Sequence, residues 1–203
     1  MPLRVGVIVE GHGEQESIRL LLERIWYEHL YGDSIEVIRP FRQPQGSLLK
    51  KEGLTRAVKA VKIKLQQDLP DGMPTLVLIL IDAETTCPKE LAPQLVGWAR
   101  EARSDADIAC VLANPMFETW FAASVASLAG VNGLPTDLPV PDDPEGQRLG
   151  KTWIKTYLPN YSETVDQPRF TAKIDLAQCR DRSASFDKLC RELIKRLPPD
   201  PDA

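Results

Sequence analysis

Two apolar runs in this chain each end on a carboxylate: Val5-Gly6-Val7-Ile8-Val9 stops at Glu10, and Leu76 to Ile81 stops at Asp82. Neither run alternates with polar residues, so neither suits a strand with one face in water. Continuous apolar runs that are followed by helical periodicity indicate parallel strands covered by helices on both faces. That restricts the chain sharply, because parallel neighbours must be joined by crossovers, and crossovers in one sheet are right-handed. With 203 residues and 43% apolar content, one domain can bury roughly 70% of the surface that its unfolded chain exposes.

The segments between these runs fit the same plan. Ile18, Leu21, Leu22, Ile25 and His29 recur at offsets of three and four and predict a helix from about Gln15 to Tyr31, closed by Gly32-Asp33. Ser34 to Arg39 alternates Ile35 and Val37 with polar neighbours, as a second strand would, and Pro40 is expected to end it. Leu54, Val58, Val61, Leu65 and Leu69 form the stripe of a second helix, which Pro70-Asp71-Gly72 releases into the strand Thr75 to Ile81. Leu91, Leu95 and Trp98 mark another helix, and Ile108 to Ala113 another strand. Asn114-Pro115 then reads as an N-cap followed by a first-turn proline, opening a helix to about Leu128.

The expected fold class is therefore α/β: a three-layer α/β/α sandwich with a mostly parallel central sheet and a C-terminal helical extension. The expected organisation is one domain over residues 1–197, with a core at 3–128, a loop at 130–150 and an extension at 151–197. The loop carries Pro135, Pro139, Pro141 and Pro144 among acids, a composition suited to a mobile segment. In the extension, Trp153 to Leu158 suggests a short helix and Phe186 to Leu197 a terminal one, with a disordered tail at 198–203. No apolar run approaches the twenty or so residues that a bilayer requires, and the four cysteines show neither paired nor zinc-ligand spacing. The expectation is a cytoplasmic protein with reduced thiols and no membrane contact.

In a parallel sheet, functional groups gather outside the carboxyl ends of the strands. Glu10, Asp82 with Glu84 two residues on, and Glu118 early in the helix after the last strand all fall at that edge. Carboxylates from three strands suit a hard cation such as Mg2+ or Mn2+, which takes carboxylate oxygens and water and can assist phosphoryl transfer. Acids also cap helix N-termini without any metal, and that explanation competes most strongly for Glu118 and for Glu14. It competes less well for Glu10 and Asp82, because a carboxylate directly ending an apolar strand meets a desolvation cost. His12 reads as a loop histidine.

Three motifs carry a resemblance to a known fold family. Val9-Glu10-Gly11-His12-Gly13-Glu14 looks like the VEGxxE opening of TOPRIM domains in overcoming-lysogenization-defect (OLD) nucleases, and Leu80-Ile81-Asp82-Ala83-Glu84 resembles their hydrophobic strand and DxD motif, with glutamate as the second acid. Asn114-Pro115-Met116-Phe117-Glu118-Thr119-Trp120-Phe121 is similar to a segment shared by RloB-like proteins and the domain-of-unknown-function family 4276. The likeness spans residues 3–128, and more weakly Tyr161 to Phe186. It implies a TOPRIM-like domain with Glu10, Asp82 and Glu84 as metal ligands and Glu14 and Glu118 as accessory acids. It also implies phage defence with an ABC-type ATPase partner. No tyrosine in the first half stands where a topoisomerase nucleophile is required, which favours hydrolysis over strand passage.

The formal charge of -4 gives no global field for nucleic acid, so contact with it is expected to be local or through the metal. Gly146 to Thr152 looks like a phosphate-binding loop but is one residue short between its glycines and follows a proline-rich loop rather than a strand. Lys151, Lys155, Arg169 and Lys173 offer candidate phosphate contacts, though an ordinary solvated surface carries as many cations. Two functions follow. The first is a divalent-metal-dependent nuclease or phosphoryl-transfer enzyme. The second is a non-catalytic interaction subunit that docks on an ATPase through the loop and tail.

Overall fold

The computed structural model describes residues 2–198. Its centre is a five-stranded, wholly parallel sheet built from β1 (Leu3–Val9), β2 (Ile35–Val37), β3 (Phe41–Arg42), β4 (Thr75–Asp82) and β5 (Ile108–Ala113). The order is β2-β1-β4-β5, with β3 also paired to β1. The second strand foreseen at 34–39 is thus two short strands on one edge. Val5 pairs with Val37, but Ile8 pairs with Phe41, so the edge carries one extra residue between them. Pro40, which has no N–H to give a ladder, interrupts the pairing, and the chain resumes it at Phe41.

Because strand residues alternate in direction, the two faces of the sheet found two separate cores. Leu3, Val5, Val7 and Val9 face one core, together with Leu76, Leu78 and Leu80, while Ile8, Val77, Ile79 and Ile81 face the other. The second core is closed by α3 (Lys51–Gln66), which follows the single turn α2 (Gln45–Leu48), and by α4 (Pro88–Ala102). The first core is closed by α1 (His12–Arg24), α5 (Glu118–Ala123), α6 (Val125–Leu128) and the C-terminal helices. Helices on both faces of a parallel sheet make the three-layer α/β architecture.

The C-terminal part is α7 (Lys151–Tyr157), α8 (Asp166–Thr171), α9 (Leu176–Arg182) and α10 (Ala184–Ile194). Periodicity pointed to α7 and α10 only, since α8 and α9 carry too few large apolar residues to display a stripe. Each starts on local chemistry or a buried anchor: the Asp175 carboxylate caps α9 through the Gln178 N–H at 3.0 Å, and Phe170 of α8 is wholly buried. These helices supply a large share of the aromatic core. Phe186 stands edge-on to Trp120, and Phe170 is edge-on to Phe121 and stacked on Tyr161. Arg24 at the end of α1 donates to the carbonyls of Thr171 and Ile174, at 2.8 and 3.0 Å, and joins α8 to the first half.

Several expected boundaries move. α1 begins at His12 rather than Gln15, because extended Gly11 turns the chain directly off the strand and accepts the Gln15 N–H. It continues as a wide turn, Ile25–His29, whose Leu30 N–H reaches back to Ile25, and this buries Trp26. Pro115 does not open a helix. The Asn114–Pro115 peptide is cis, the Asn114 amide turns to Glu145, and α5 starts at Glu118. The loop at 130–150 is tied down by Glu145, which accepts from the Ser183 hydroxyl, the Ser185 N–H and hydroxyl, and Asn114. Beyond Pro198, the expected tail lies outside the described residues. No described helix is long and apolar enough to cross a membrane.

Candidate functional site: a buried acidic cluster at the strand ends

The site forms where β1, β4 and β5 release the chain. Glu10 follows β1 directly, Asp82 is the last residue of β4, and Glu118 opens α5 after β5. Glu14 joins them from the first turn of α1 and is 3% exposed, which makes it a member of the buried group rather than a surface helix acid. Gly11 permits this approach: a Cβ there would lie 2.0 Å from Glu14 Oε2. Gly13 does the same for the opposite wall, where a Cβ would lie 1.7 Å from Gln167 Oε1. Two of the glycine positions in the first motif are therefore spaces into which site side chains fit.

Each acid has a protein donor on one oxygen. The Asp82 N–H donates to Glu10 Oε1 at 3.4 Å, the Phe117 N–H to Asp82 Oδ1 at 2.9 Å, Tyr161 Oη to Glu118 Oε1 at 3.1 Å, and Gln167 Nε2 to Glu14 Oε1 at 3.3 Å. The Phe117 bond explains why the turn after β5 ends where it does, since Asp82 takes an N–H at the mouth of α5 that no helical carbonyl reaches. The second oxygens of Glu10, Glu14 and Glu118 are buried and have no hydrogen-bond partner among the described residues.

Charge is concentrated here. Burial pushes the Glu10 carboxyl up to about 7, with Glu14 and Glu84 adding repulsion against the opposing pull of the Asp82 N–H and Lys151. Burial also raises Glu118 to about 7, with Lys151 opposing. Asp82 is raised well above the carboxylate range by burial first and then by Glu14, Glu10 and Glu118. Lys151 is the cation that faces this group. Burial disfavours its charge, but Glu118, Glu163 at 3.1 Å and Asp82 outweigh that and hold the ammonium above its ordinary range. Burial and Glu118 raise the Tyr161 hydroxyl likewise, so it keeps its proton and donates it to Glu118.

Of the acids singled out from sequence, the fold brings Glu10, Glu14, Asp82 and Glu118 together, the last three buried and Glu10 half-buried. Glu84 stands apart at the rim: its side chain is exposed, its backbone is left-handed at φ 48°, its N–H goes to the Pro115 carbonyl, and its own carbonyl accepts from Arg148 at 2.5 Å. Of the four candidate phosphate cations, only Lys151 reaches the acids. Arg169 is near Asp166 at 3.9 Å, and Lys155 and Lys173 are exposed. Tyr161, Glu163 and Gln167 had no motif of their own. All three come from the extension, where only a weak likeness around Tyr161 hinted at a role. His12 is exposed at the start of α1.

The donor set is all oxygen, the kind that hard divalent cations favour over softer metals. Among the described residues no three His, Cys, Asp or Glu side chains are already gathered as a ligand cage, since three of the acids are turned in part toward Phe117, Tyr161 and Gln167. The three orphaned carboxylate oxygens fit a cation, because each is a buried acceptor for which the protein provides no hydrogen.

The family described as a domain of unknown function, DUF4276, matches residues 9–194. Among solved structures, the chain is similar to the C-terminal region of the Burkholderia pseudomallei OLD protein. Their sequence identity is 13% and the TM-score 0.48, over 96% of this chain and 98% of that one. Comparison with curated proteins gives no match.

Proposed function

The chain belongs to the DUF4276 family, and on that premise we propose that its buried acids form the centre of a divalent-metal-dependent, TOPRIM-like phosphodiester hydrolase acting on nucleic acid. The observation that carries this reading is the set of partnerless buried oxygens on Glu10, Glu14 and Glu118. Leaving charged acceptors dry and unanswered costs several kcal/mol, by order of magnitude, so either protons or a cation must answer them. Lys151 alone is one positive charge facing four carboxyl groups.

Glu10 and Asp82, with Glu84 at the rim, would hold Mg2+ or Mn2+, and Glu14 and Glu118 would act as accessory acids. When bound, the ion supplies Lewis-acid polarisation of a phosphoryl oxygen and a more acidic bound water. The chain's own groups do the rest. The Asp82 and Phe117 N–H groups fix Glu10 and Asp82 in place. Lys151 offers its ammonium to a non-bridging phosphate oxygen, a charge-assisted contact. Glu118, raised to about 7, keeps a proton near neutrality, and its free Oε2 can give that proton to the departing alkoxide. Phage defence and an ABC-type ATPase partner belong to the proposal through the motif resemblance, and a cytoplasmic setting through the unpaired spacing of the four cysteines.

The test is a calorimetric titration of Mg2+ and Mn2+ into the wild type, Glu10→Ala and Asp82→Ala, repeated with labelled single- and double-stranded DNA and RNA. Saturable binding that both variants lose, with cleavage that needs the metal, is the expected result. No binding at millimolar metal, with or without oligonucleotide, sinks the hydrolase reading and favours a non-catalytic interaction subunit.

A further inference from the structure

On the far side of the sheet from β2, strand β5 is an edge, paired with β4 alone. The ladder uses the carbonyls of Asp107 and Ala113, which accept from Val77 and Ala83 at 2.9 and 2.8 Å. With the strand period of two, Ile108, Cys110 and Leu112 therefore turn their N–H and C=O groups outward. None of these groups takes a hydrogen bond from or gives one to another described residue. The next outward amide, that of Asn114, is answered by Ser185 Oγ at 3.3 Å and marks where the open edge ends.

This edge lies at the floor of a groove between α4 and α10. Two adjoining cavities of about 440 and 630 Å3 run along it, meeting at Ala92, Pro93, Cys110 and Lys188. Open edges invite pairing with another chain, and proteins commonly blunt them with charges or cover them. Here α4 and α10 wall the edge on either side, and Ile108, Cys110 and Leu112 keep 4–7% of their surface exposed at the floor of the groove. The rim is basic in a protein of net charge -4: Lys89 and Arg100 have no ion-pair partner among the described residues, Lys188 and Lys195 share the carboxylate of Glu192, and Arg196 pairs with both Glu192 and Asp107.

We propose that β5 is a docking site for an extended acidic peptide, which adds a sixth strand through the backbone groups of Ile108, Cys110 and Leu112 and sets its acids against the rim of Lys89 and Arg100. Strand addition takes affinity from main-chain hydrogen bonds and selectivity from alternate side chains. The occupant is acidic because the rim's cations exceed its anions. This site is separate from the acidic cluster, and its occupancy does not depend on the hydrolase reading.

The probe is a fluorescein-labelled peptide of alternating valine and glutamate, measured by anisotropy against the full chain, alongside the same peptide N-methylated at alternate residues. N-methylation leaves every side chain but removes the hydrogens that strand addition needs. Saturable binding that weakens at least about tenfold on N-methylation is expected. So is a similar loss in the exposed-rim double variant Lys89→Glu/Arg100→Glu, with slower amide exchange at Cys110 when the peptide is bound. Equal binding of both peptides reduces the contact to charge alone and overturns the proposal. Absence of binding at millimolar peptide does the same. A dimer in sedimentation whose dissociation exposes Cys110 to exchange gives the edge to a second copy, and also overturns it.

Discussion

At the residue scale, the acids of the site are distinguished by what surrounds them rather than by their type. Glu10 and Glu118 have folded-state values near 7 where an ordinary glutamate ionises at 4.5. The folded protein thus binds protons that the unfolded chain has already released. The stability these protons contribute is complete below about pH 4.5 and is lost as pH rises through about 7. The melting temperature of metal-free protein is expected to fall from about pH 5 to about pH 8, and Mn2+ should reverse the fall. Glu118→Gln keeps an acceptor for Tyr161 but removes the charge, so it should melt higher than wild type at pH 8 and show a flatter profile. A flat profile in the wild type would mean that the cluster is better hydrated than its burial indicates.

At the scale of elements, the site depends on contacts between helices far apart in sequence. α8 delivers Gln167 to Glu14 from its first turn, and the guanidinium of Arg24 holds the C-terminal end of α8 by bonding the Thr171 and Ile174 carbonyls. Arg24→Met keeps the apolar stem and leaves those two carbonyls without their charged donor. A loss of about 1–3 kcal/mol in urea unfolding is expected, with faster amide exchange confined to residues 166–174. If exchange rises evenly over the whole chain, or not at all, the link between α1 and α8 is not what holds that helix.

At the scale of the molecule, the C-terminal helices are part of the core rather than an appendage. Phe117, Trp120 and Phe121 are wholly buried, and their partners Phe170 and Phe186 come from α8 and α10. Each large apolar side chain left uncovered forfeits about 1.5–3 kcal/mol. A chain ending at residue 129 would expose this set together with one face of the sheet. It is expected to give an aggregating or molten product, seen as lost near-ultraviolet dichroism. A soluble truncation with dispersed amide resonances would show that the sheet and its first helices suffice.

The parallel sheet was readable from local pattern, because strands buried on both faces must be apolar throughout, and so were the acids that end those strands. Glu10 and Asp82 were legible for that reason, and Glu118 by its place after the last strand. Glu14 looked like an ordinary first-turn acid, since its partner Gln167 comes from more than a hundred residues away. Tyr161 and Gln167 carry no local signal, because hydrogen bonds to a distant carboxylate leave no periodicity in the chain. The same holds for the cis turn at Asn114–Pro115, where a helix cap was the local expectation and the Phe117 bond to Asp82 fixed the start of α5 instead. The open edge of β5 is likewise a property of strand order. Local pattern fixes which residues prefer a strand or helix and which face is dry, whereas the tertiary structure decides which distant side chains meet in the dry interior and which backbone groups go without a partner.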